Sequence, residues 1–433
     1  MKWQYRAAIA ATLLAVLGGC ATYSDWVGLM EREMAAEKPD AALEILDKHL
    51  DGRRDRVLYL LNRAMLLRMA GRFEDSNRAF EMAKTLIDQL MAVSVSEQGG
   101  AFTVNEMMRS YTGEPFERIF LHVYAALNYL ELGRPADARV EVLQMDGLLN
   151  GLEEKALPGT AFARYLSGLV YETLGEWDDA LIDYRKAFQA YARYPEAFHA
   201  TMPAQLKSDL LRLTRRVGLT EEYADYERRW GGLAAPAPDD GKARGELVFL
   251  LHSGLAPLKY SENVSAVTPD GELVTLSMPY YVPRAVQVIS ASLYENGGAA
   301  ATQMYEDVGA IAQYALERRK PVLLARAIAR AALKHEATEA ARKQDDALGF
   351  IVNMAGVLSE RADTRAWTTL PGRILLARMP LEPGSHVIRV ELKDRSGNAV
   401  AEREYAFDLG EGDKHFISLH WVGGQVAAEG RRH

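Results

Sequence analysis

Two distant segments of the chain share one spacing of small, aromatic and glycine positions, and this repetition restricts the folds open to it. The first reads Ala64-x-x-Leu67-x-x-x-Gly71-Arg72-Phe73-Glu74-Asp75-Ser76-x-x-x-Phe80-x-x-Ala83. The second reads Gly168-x-x-Tyr171-x-x-x-Gly175-Glu176-Trp177-Asp178-Asp179-Ala180-x-x-x-Tyr184-x-x-Ala187. A third copy runs from Ala126 and Tyr129 through Gly133 to Ala138 and Val142. A degenerate first copy has Ala42 and Leu46, with Glu37 at the turn position 34 residues before Gly71. Self-similarity of this kind marks stacked helix pairs, each unable to bury its apolar face alone. Small residues let two antiparallel helices approach. Aromatics fill the gap to the next pair. Glycine ends the first helix in a left-handed conformation that other residues adopt at a cost.

The spacing resembles the tetratricopeptide (TPR) pattern, which implies an all-α solenoid over residues 20–232. A helical bundle without the repeat is the alternative. The copies are not contiguous, because Gly71 and Gly133 are 62 residues apart. The inserted stretch holds Val93 to Gly100 and ends in Ser110-Tyr-Thr-Gly-Glu-Pro-Phe-Glu-Arg118. Such Gly- and Pro-punctuated stretches read as loops, and long loops on rigid scaffolds often carry function; a plain spacer is the bland reading.

The first 20 residues have the form of an export signal. Lys2 and Arg6 precede an eleven-residue, mostly apolar run, Ala7 to Leu17, too short to span a membrane. Leu17-Gly18-Gly19-Cys20 follows, and Cys20 is the chain's single cysteine. This tetrad resembles the lipobox of bacterial lipoproteins, which implies cleavage after residue 19 and acylation of Cys20. Several buried acyl chains give stable anchoring where one does not. Ala21, rather than an Asp, follows the cysteine, and by the same resemblance this points to the outer membrane.

The whole chain has 433 residues, with 51 Lys+Arg against 59 Asp+Glu for a net charge of −8. Losing Lys2 and Arg6 with the signal leaves 49 against 59, or −10. That balance argues against nucleic acid as a partner, since phosphate neutralisation needs a basic surface. A lone cysteine excludes an intramolecular disulfide framework and an iron–sulfur cluster. Hydrophobic residues at 48% and charged ones at 25% are those of an ordinary folded protein.

After a Pro/Ala linker over 233–241 the periodicity changes, and residues 242–433 read as an α+β domain. Gly245 to His252 is a near-continuous apolar strand, and Glu272 to Met278 and Ala285 to Leu293 read as further strands. Met304 to Arg319, Pro321 to His335 and Ala347 to Arg361 read as three helices. Arg373 to Met379, His386 to Leu392, Ala399 to Phe407 and His415 to Trp421 form a run of short strands. Their spacing suggests a C-terminal antiparallel β-sandwich-like part.

Chemistry-bearing patterns are sparse. His252-Ser253-Gly254 ends a strand but lacks the Gly-x-Ser-x-Gly and Ser-x-x-Lys contexts of a nucleophile. His335-Glu336 has no second histidine at zinc-binding spacing. Gly241-Lys242 lacks the rest of a phosphate loop. No catalytic residue, metal site or cofactor is expected. Asp363-Thr-Arg-Ala-Trp367 followed by Leu370-Pro371 reads as a helix end with Trp367 anchoring the next strand.

Taken together, the chain resembles a family of Gram-negative bacterial lipoproteins with TPR-like repeats. The carrying residues are Tyr111-Thr-Gly-Glu-Pro-Phe-Glu-Arg118, Ala125 to Leu130 with Gly133, and Ala138-Arg-Val-Glu141. Gly245-Glu-Leu-Val248, Ser253-Gly-Leu-Ala-Pro257, Pro279-Tyr-Tyr281 and the Asp363–Pro371 stretch complete the set. The resemblance implies a role in envelope assembly and implies no activity. The expectation is an outer-membrane, periplasm-facing scaffold, held to the membrane by its lipid anchor. Its partners would be envelope proteins, other outer-membrane lipoproteins among them. The stacked pairs would offer a concave groove for a peptide or partner helix. An envelope enzyme or binding protein acting on peptidoglycan or polysaccharide is the competing class. Tyr111, Glu114, Glu117, Arg118, Tyr129 and Glu141 are the candidate partner-binding residues. Glu114 and Glu117 would equally favour a helix N-terminus, and Tyr129 also fits a packing position.

Overall fold

The computed structural model describes residues 23–49, 53–96, 110–154, 160–193, 201–230, 244–267, 271, 273–342 and 362–423. The signal segment, Cys20, the 97–109 part of the insertion, the 233–241 linker and the expected helix Ala347–Arg361 lie outside these residues.

Five antiparallel helix pairs occupy the first half: α1 Tyr23–Ala35 with α2 Pro39–His49, α3 Arg56–Met69 with α4 Phe73–Ser96, α5 Pro115–Glu131 with α6 Pro135–Glu154, α7 Ala161–Thr173 with α8 Trp177–Arg193, and α9 Ala204–Arg216 with α10 Thr220–Trp230. Each pair turns on a residue with positive φ: Glu37, Gly71, Gly133, Gly175 and Gly218. The last of these belongs to a fifth pair that the sequence pattern did not single out. The small positions sit at the crossings as the repeat requires, with Ala64, Ala126, Ser76, Ala138 and Ala180 fully buried. At Gly168 a Cβ atom would come within 2.6 Å of the Tyr184 ring, so only glycine lets α7 and α8 close there. These are TPR-like repeats. Much of the insertion extends α4, whose 24 residues run beyond the repeat to Ser96.

Among the described residues the second half holds ten strands: β1 Gly245–Ser253, β2 Leu258–Val267, β3 Leu273–Val282, β4 Ser290–Glu295, β5 Gly298–Ala301, β6 Gln303–Asp307, β7 Arg373–Leu381, β8 Gly384–Lys393, β9 Ala399–Leu409 and β10 Lys414–Trp421. One mixed four-stranded sheet has the order β10-β1-β7-β6, with β1 and β10 parallel. An antiparallel sheet has the order β5-β4-β8-β9, and β2-β3 is a separate ribbon. Besides β2 and β5, which the sequence reading did not pick out, it differs here in three places. Residues 303–307 form β6, an edge strand bonded to β7, where a helix start was expected. The two helices expected at 304–319 and 321–335 are one, α11 Val308–Arg342, which continues through Pro321. The strand expected at 285–293 begins only at Ser290.

β1 is apolar throughout because both of its faces are buried. Leu247, Phe249 and Leu251 join Leu293, Ile388 and Val390 in one apolar cluster. Val248 and Leu250, pointing the other way, join the core of the helical half.

Candidate functional site

The first helix of every pair turns toward the sheet-bearing half. Glu31 of α1 lies 2.9 Å from Arg284. Asn62 of α3 accepts from Thr369 Oγ1 at 3.0 Å. From α5, Glu117 and Tyr124 reach Trp367 and His252. From α7 and α9, Glu172 and Asp209 reach Arg378. The groove expected to take a peptide or partner helix is thus filled by the chain's own β1, β7, β10 and the Asp363–Pro371 stretch. Apolar strand faces offered to the first helices bury more surface than an open groove would.

Three of the six sequence-selected residues, Tyr111, Glu114 and Glu117, meet at the start of α5. Glu117 is 1% exposed. It accepts from the Tyr111 hydroxyl, from the Glu114 backbone N–H at 2.7 Å and from the Trp367 backbone N–H at 2.8 Å. The second of these is one arm of a capping box. Burial and the adjoining Glu114 carboxylate push Glu117 up to about 7, against those donors. Burial works to raise Glu114 as well. Lys259 at 2.7 Å and Arg319 outweigh it and hold Glu114 below the usual range. Arg365 stacks over the Tyr111 ring at 5.4 Å and pairs with Asp55 at 3.0 Å. Arg118 points elsewhere, toward Met91. Tyr111, Glu114 and Glu117 are therefore spent on a joint among α5, β2, α11 and the 363–371 stretch. They are not displayed.

Tyr129 and Glu141 form a separate group further along the helix pair. Arg134 lies over the Tyr129 ring at 5.1 Å. Glu141, 2% exposed, accepts from Lys84 and from His122, each at 2.8 Å. Burial raises Glu141, and these two partners bring it below its ordinary value. Glu141 thus ties α4, α5 and α6 together inside the solenoid.

Two polar clusters at the joint were not singled out from sequence. In the first, Arg378 of β7 reaches Glu172 at 2.6 Å, Asp209 at 3.0 Å and Glu246 at 2.6 Å. Arg212 and Lys414 add pairs to Glu172 at 2.8 and 3.0 Å. Three cations meet three carboxylates, so the buried cluster neutralises itself. Burial raises Glu172, but Arg378, Lys414 and Arg212 hold it well below the ordinary range, and Glu246 falls to about 2. In the second, His252 and His420, directly paired across β1 and β10, stack with ring centres 4.3 Å apart. Burial, then the neighbouring histidine and Arg68, depress His252 well below 6.5. Burial and Arg68 do the same to His420. Tyr124 reaches His252 Nδ1 at 3.2 Å, and Arg68 bonds Ser418 at 2.6 Å. His252 and Ser253, considered as a strand-end nucleophile pattern, are interior. Ser253 donates to the Val288 carbonyl at 2.6 Å. Among the described residues no group of three His, Cys, Asp or Glu side chains could hold a metal ion.

Most of the exposed large apolar side chains of the solenoid lie on the second helices, with Leu29 of α1 also 46% exposed. Met82 of α4, Val140 and Leu143 of α6 and Ile182 of α8 are 53, 51, 57 and 45% exposed. Val140 and Ile182 occupy the same place in their helices, five residues after Pro135 and Trp177.

No protein-family model and no curated protein matches the chain. Solved structures match about half of the chain. MamA is 16% identical, covers 48% of this chain and 93% of its own, and superposes with a TM-score of 0.31. MamA from Desulfovibrio magneticus RS-1 is 12% identical, covering 48% and 90%, with a TM-score of 0.31. Aspartyl phosphate phosphatase F from Bacillus subtilis is 12% identical, covering 50% and 52%, at 0.34. The repeat assignment rests on this chain's own turns and crossings. No helix among the described residues is long and apolar enough to cross a membrane.

Proposed function

We propose that the protein is a non-enzymatic, outer-membrane-anchored periplasmic lipoprotein that acts as an interaction scaffold in cell-envelope assembly. Its two four-stranded sheets would pack as a sandwich that braces the solenoid. The observation that carries the scaffold reading is the division of the solenoid's two faces. The first-helix face is locked onto the chain's own sheet, while the second-helix face presents apolar residues at repeated positions. Exposed apolar side chains in register on a rigid repeat are what a protein partner can bury. The anchor reading is supported by Leu17-Gly18-Gly19-Cys20. These assignments replace the loop-to-helix cluster with α6 and α8 as the partner surface.

Cross-linked affinity capture from membranes tests the scaffold. Val140→Asp with Ile182→Asp should melt like the wild type and lose the envelope proteins that the wild type captures. Undiminished capture by the double variant refutes the assignment. Cys20→Ser tests the anchor: it should abolish acyl-chain labelling and leave the membrane fraction, and unchanged retention would sink that part.

A further inference from the structure

The outward face of α6 differs from those of its neighbours among the second helices. Ala136, Val140, Leu143 and Gly147 follow one another at intervals of four, three and four residues. All four are exposed, Val140 and Leu143 by 51 and 57%. Ala138, Val142, Met145 and Leu149 repeat the same intervals on the opposite side and form the buried stripe that packs α6 into the solenoid. α6 therefore carries two apolar seams, where an ordinary surface helix needs one. The corresponding faces of α4 and α8 are mostly polar: Arg78, Glu81 and Thr85 are exposed on α4, and Asp178, Asp179 and Gln189 on α8. Intervals of four and three residues are those of a helix that meets a second helix side by side. At the end of the outer seam nothing from the chain fills the space that a Cβ on Gly147 would take, so another backbone can come close there.

The flanking side chains select the partner. Arg139 and Asp146 stand on one edge of the outer seam, Asp137 and Gln144 on the other. Both signs occur, so neither a strongly acidic nor a strongly basic partner is matched. An antiparallel copy of α6 is matched. With a two-fold axis at the level between Glu141 and Val142, Val140 and Leu143 pack on Leu143 and Val140 of the second copy, and Ala136 lies against Gly147 at each end. This register sets Arg139 of each copy beside Asp146 of the other. It also sets Asp137 beside Gln144, whose amide can donate to it. A parallel copy would face Arg139 with Gln144 and leave Asp146 without a cation across the seam. Within the chain Arg139 lies 3.3 Å from Glu176, and Asp146 pairs with Lys186 at 3.2 Å and with Arg164. The Arg139 and Asp146 side chains nevertheless stay 46 and 35% exposed.

We propose that α6 is a self-association helix, which pairs antiparallel with α6 of a second copy of this chain. The inference rests on the reading of the second-helix face as a partner surface and names the partner for α6. Such a two-fold contact is closed, because each copy offers the other the same patch. From Ala136 to Gly147 the seam is about 17 Å long. That is a small contact, of the kind that forms and separates readily.

Disulfide trapping tests the pair in the full chain carrying Cys20→Ser, so that only introduced thiols react. One protein carries Ala136→Cys and another Gly147→Cys. Mixed and oxidised with copper phenanthroline, the two should form a cross-linked dimer, and neither alone should do so. Cross-linking of either alone as readily as the mixture overturns the antiparallel register. Sedimentation velocity reads the affinity. Leu143→Asp, at an exposed position, should keep the wild-type melting temperature and weaken self-association about tenfold or more. Arg139→Glu places a like charge beside Asp146 and should weaken it by up to about fivefold. Wild-type self-association by Leu143→Asp, or a chain that neither cross-links nor self-associates, overturns the proposal. Affinity capture separates its failure from that of the scaffold. A monomeric chain whose Val140→Asp/Ile182→Asp form loses envelope proteins removes the pair and leaves the scaffold standing; a chain that pairs but captures no envelope protein does the reverse.

Discussion

The backbone N–H of Trp367 donates to Glu117 Oε1 at 2.8 Å and joins residues 250 positions apart. The same carboxylate takes the Tyr111 hydroxyl and the Glu114 N–H. Glu117→Ala would strand three donors in a dry interior, each worth about 1–3 kcal/mol. We expect it to lower unfolding stability by about 3 kcal/mol or more in urea titrations. Glu117→Gln keeps an acceptor oxygen and should lose less. A loss under about 1 kcal/mol for the alanine variant would mean that the joint does not depend on this residue.

The closeness of α7 and α8 makes Gly168 a sharp probe of the repeat register. Its added Cβ would overlap Tyr184, so Gly168→Ala should destabilise by about 1–3 kcal/mol. Gly147 in α6 has open space where a Cβ would go. Gly147→Ala should therefore be neutral or stabilising by up to about 1 kcal/mol, the helix-propensity gain. Equal thermal shifts for the two variants would contradict the crossing.

Protonation of the His252–His420 stack should be legible in stability against pH. Both histidines have folded pKa values well below 6.5, so the folded state keeps them neutral while the unfolded chain takes up protons. Their contribution is full above 6.5 and falls with pH below it, by up to about 1.4 kcal/mol per unit per histidine. Raised carboxyls such as Glu117 and Glu306 act in the opposite sense over the same range. The clean observable is therefore a difference. The stability gap between wild type and His252→Asn/His420→Asn should shift in favour of the variant between pH 6.5 and 5. A pH-independent gap would show that the stack is not held neutral.

Much of the helical half was readable because its turns demand one backbone conformation. Gly71, Gly133 and Gly175 announce it by residue type, and Glu37 by its distance from Gly71. Gly218 carries the same mark, but its flanking aromatics fall out of register. The strands that escaped detection lack a one-sided apolar pattern. β2, Leu258 to Val267, lies in a two-stranded ribbon with exposed residues along it, and Glu262 interrupts the alternation of Leu258, Tyr260, Val264 and Ala266. β6 is a strand only because β7 bonds it. Pro321 did not end α11 because Glu317, whose carbonyl it frees, is on the exposed side. At the joint, the capping role of Glu114 and Glu117 was local and legible. Their bonds to Lys259, Arg319 and Trp367 cross the whole fold and leave no local trace. The same holds for Arg378, which reads in sequence as one more polar residue in an apolar strand.

Arg378 is the residue on which the two halves most depend. It serves Glu172 from α7, Asp209 from α9 and Glu246 from its own sheet, and it is almost fully enclosed. Replacing it with Met removes one cation from a balanced six. Three buried carboxylates then share Arg212 and Lys414. Breaking one side of a buried pair costs about 3–5 kcal/mol, because the remaining charge has lost its solvation and its partner. Arg378→Met should lower the unfolding midpoint accordingly. Burial excludes mobile ions from the cluster, so the loss should be nearly the same at low salt and at ~1 M salt. Arg378→Lys keeps the charge but cannot span three carboxylates with one ammonium, and should recover only part of the loss. If Arg378→Met costs no more than an exposed pair, under about 1 kcal/mol, the sheet is held to the solenoid by its apolar faces alone. Partial recovery by lysine would instead assign the difference to the reach of the guanidinium.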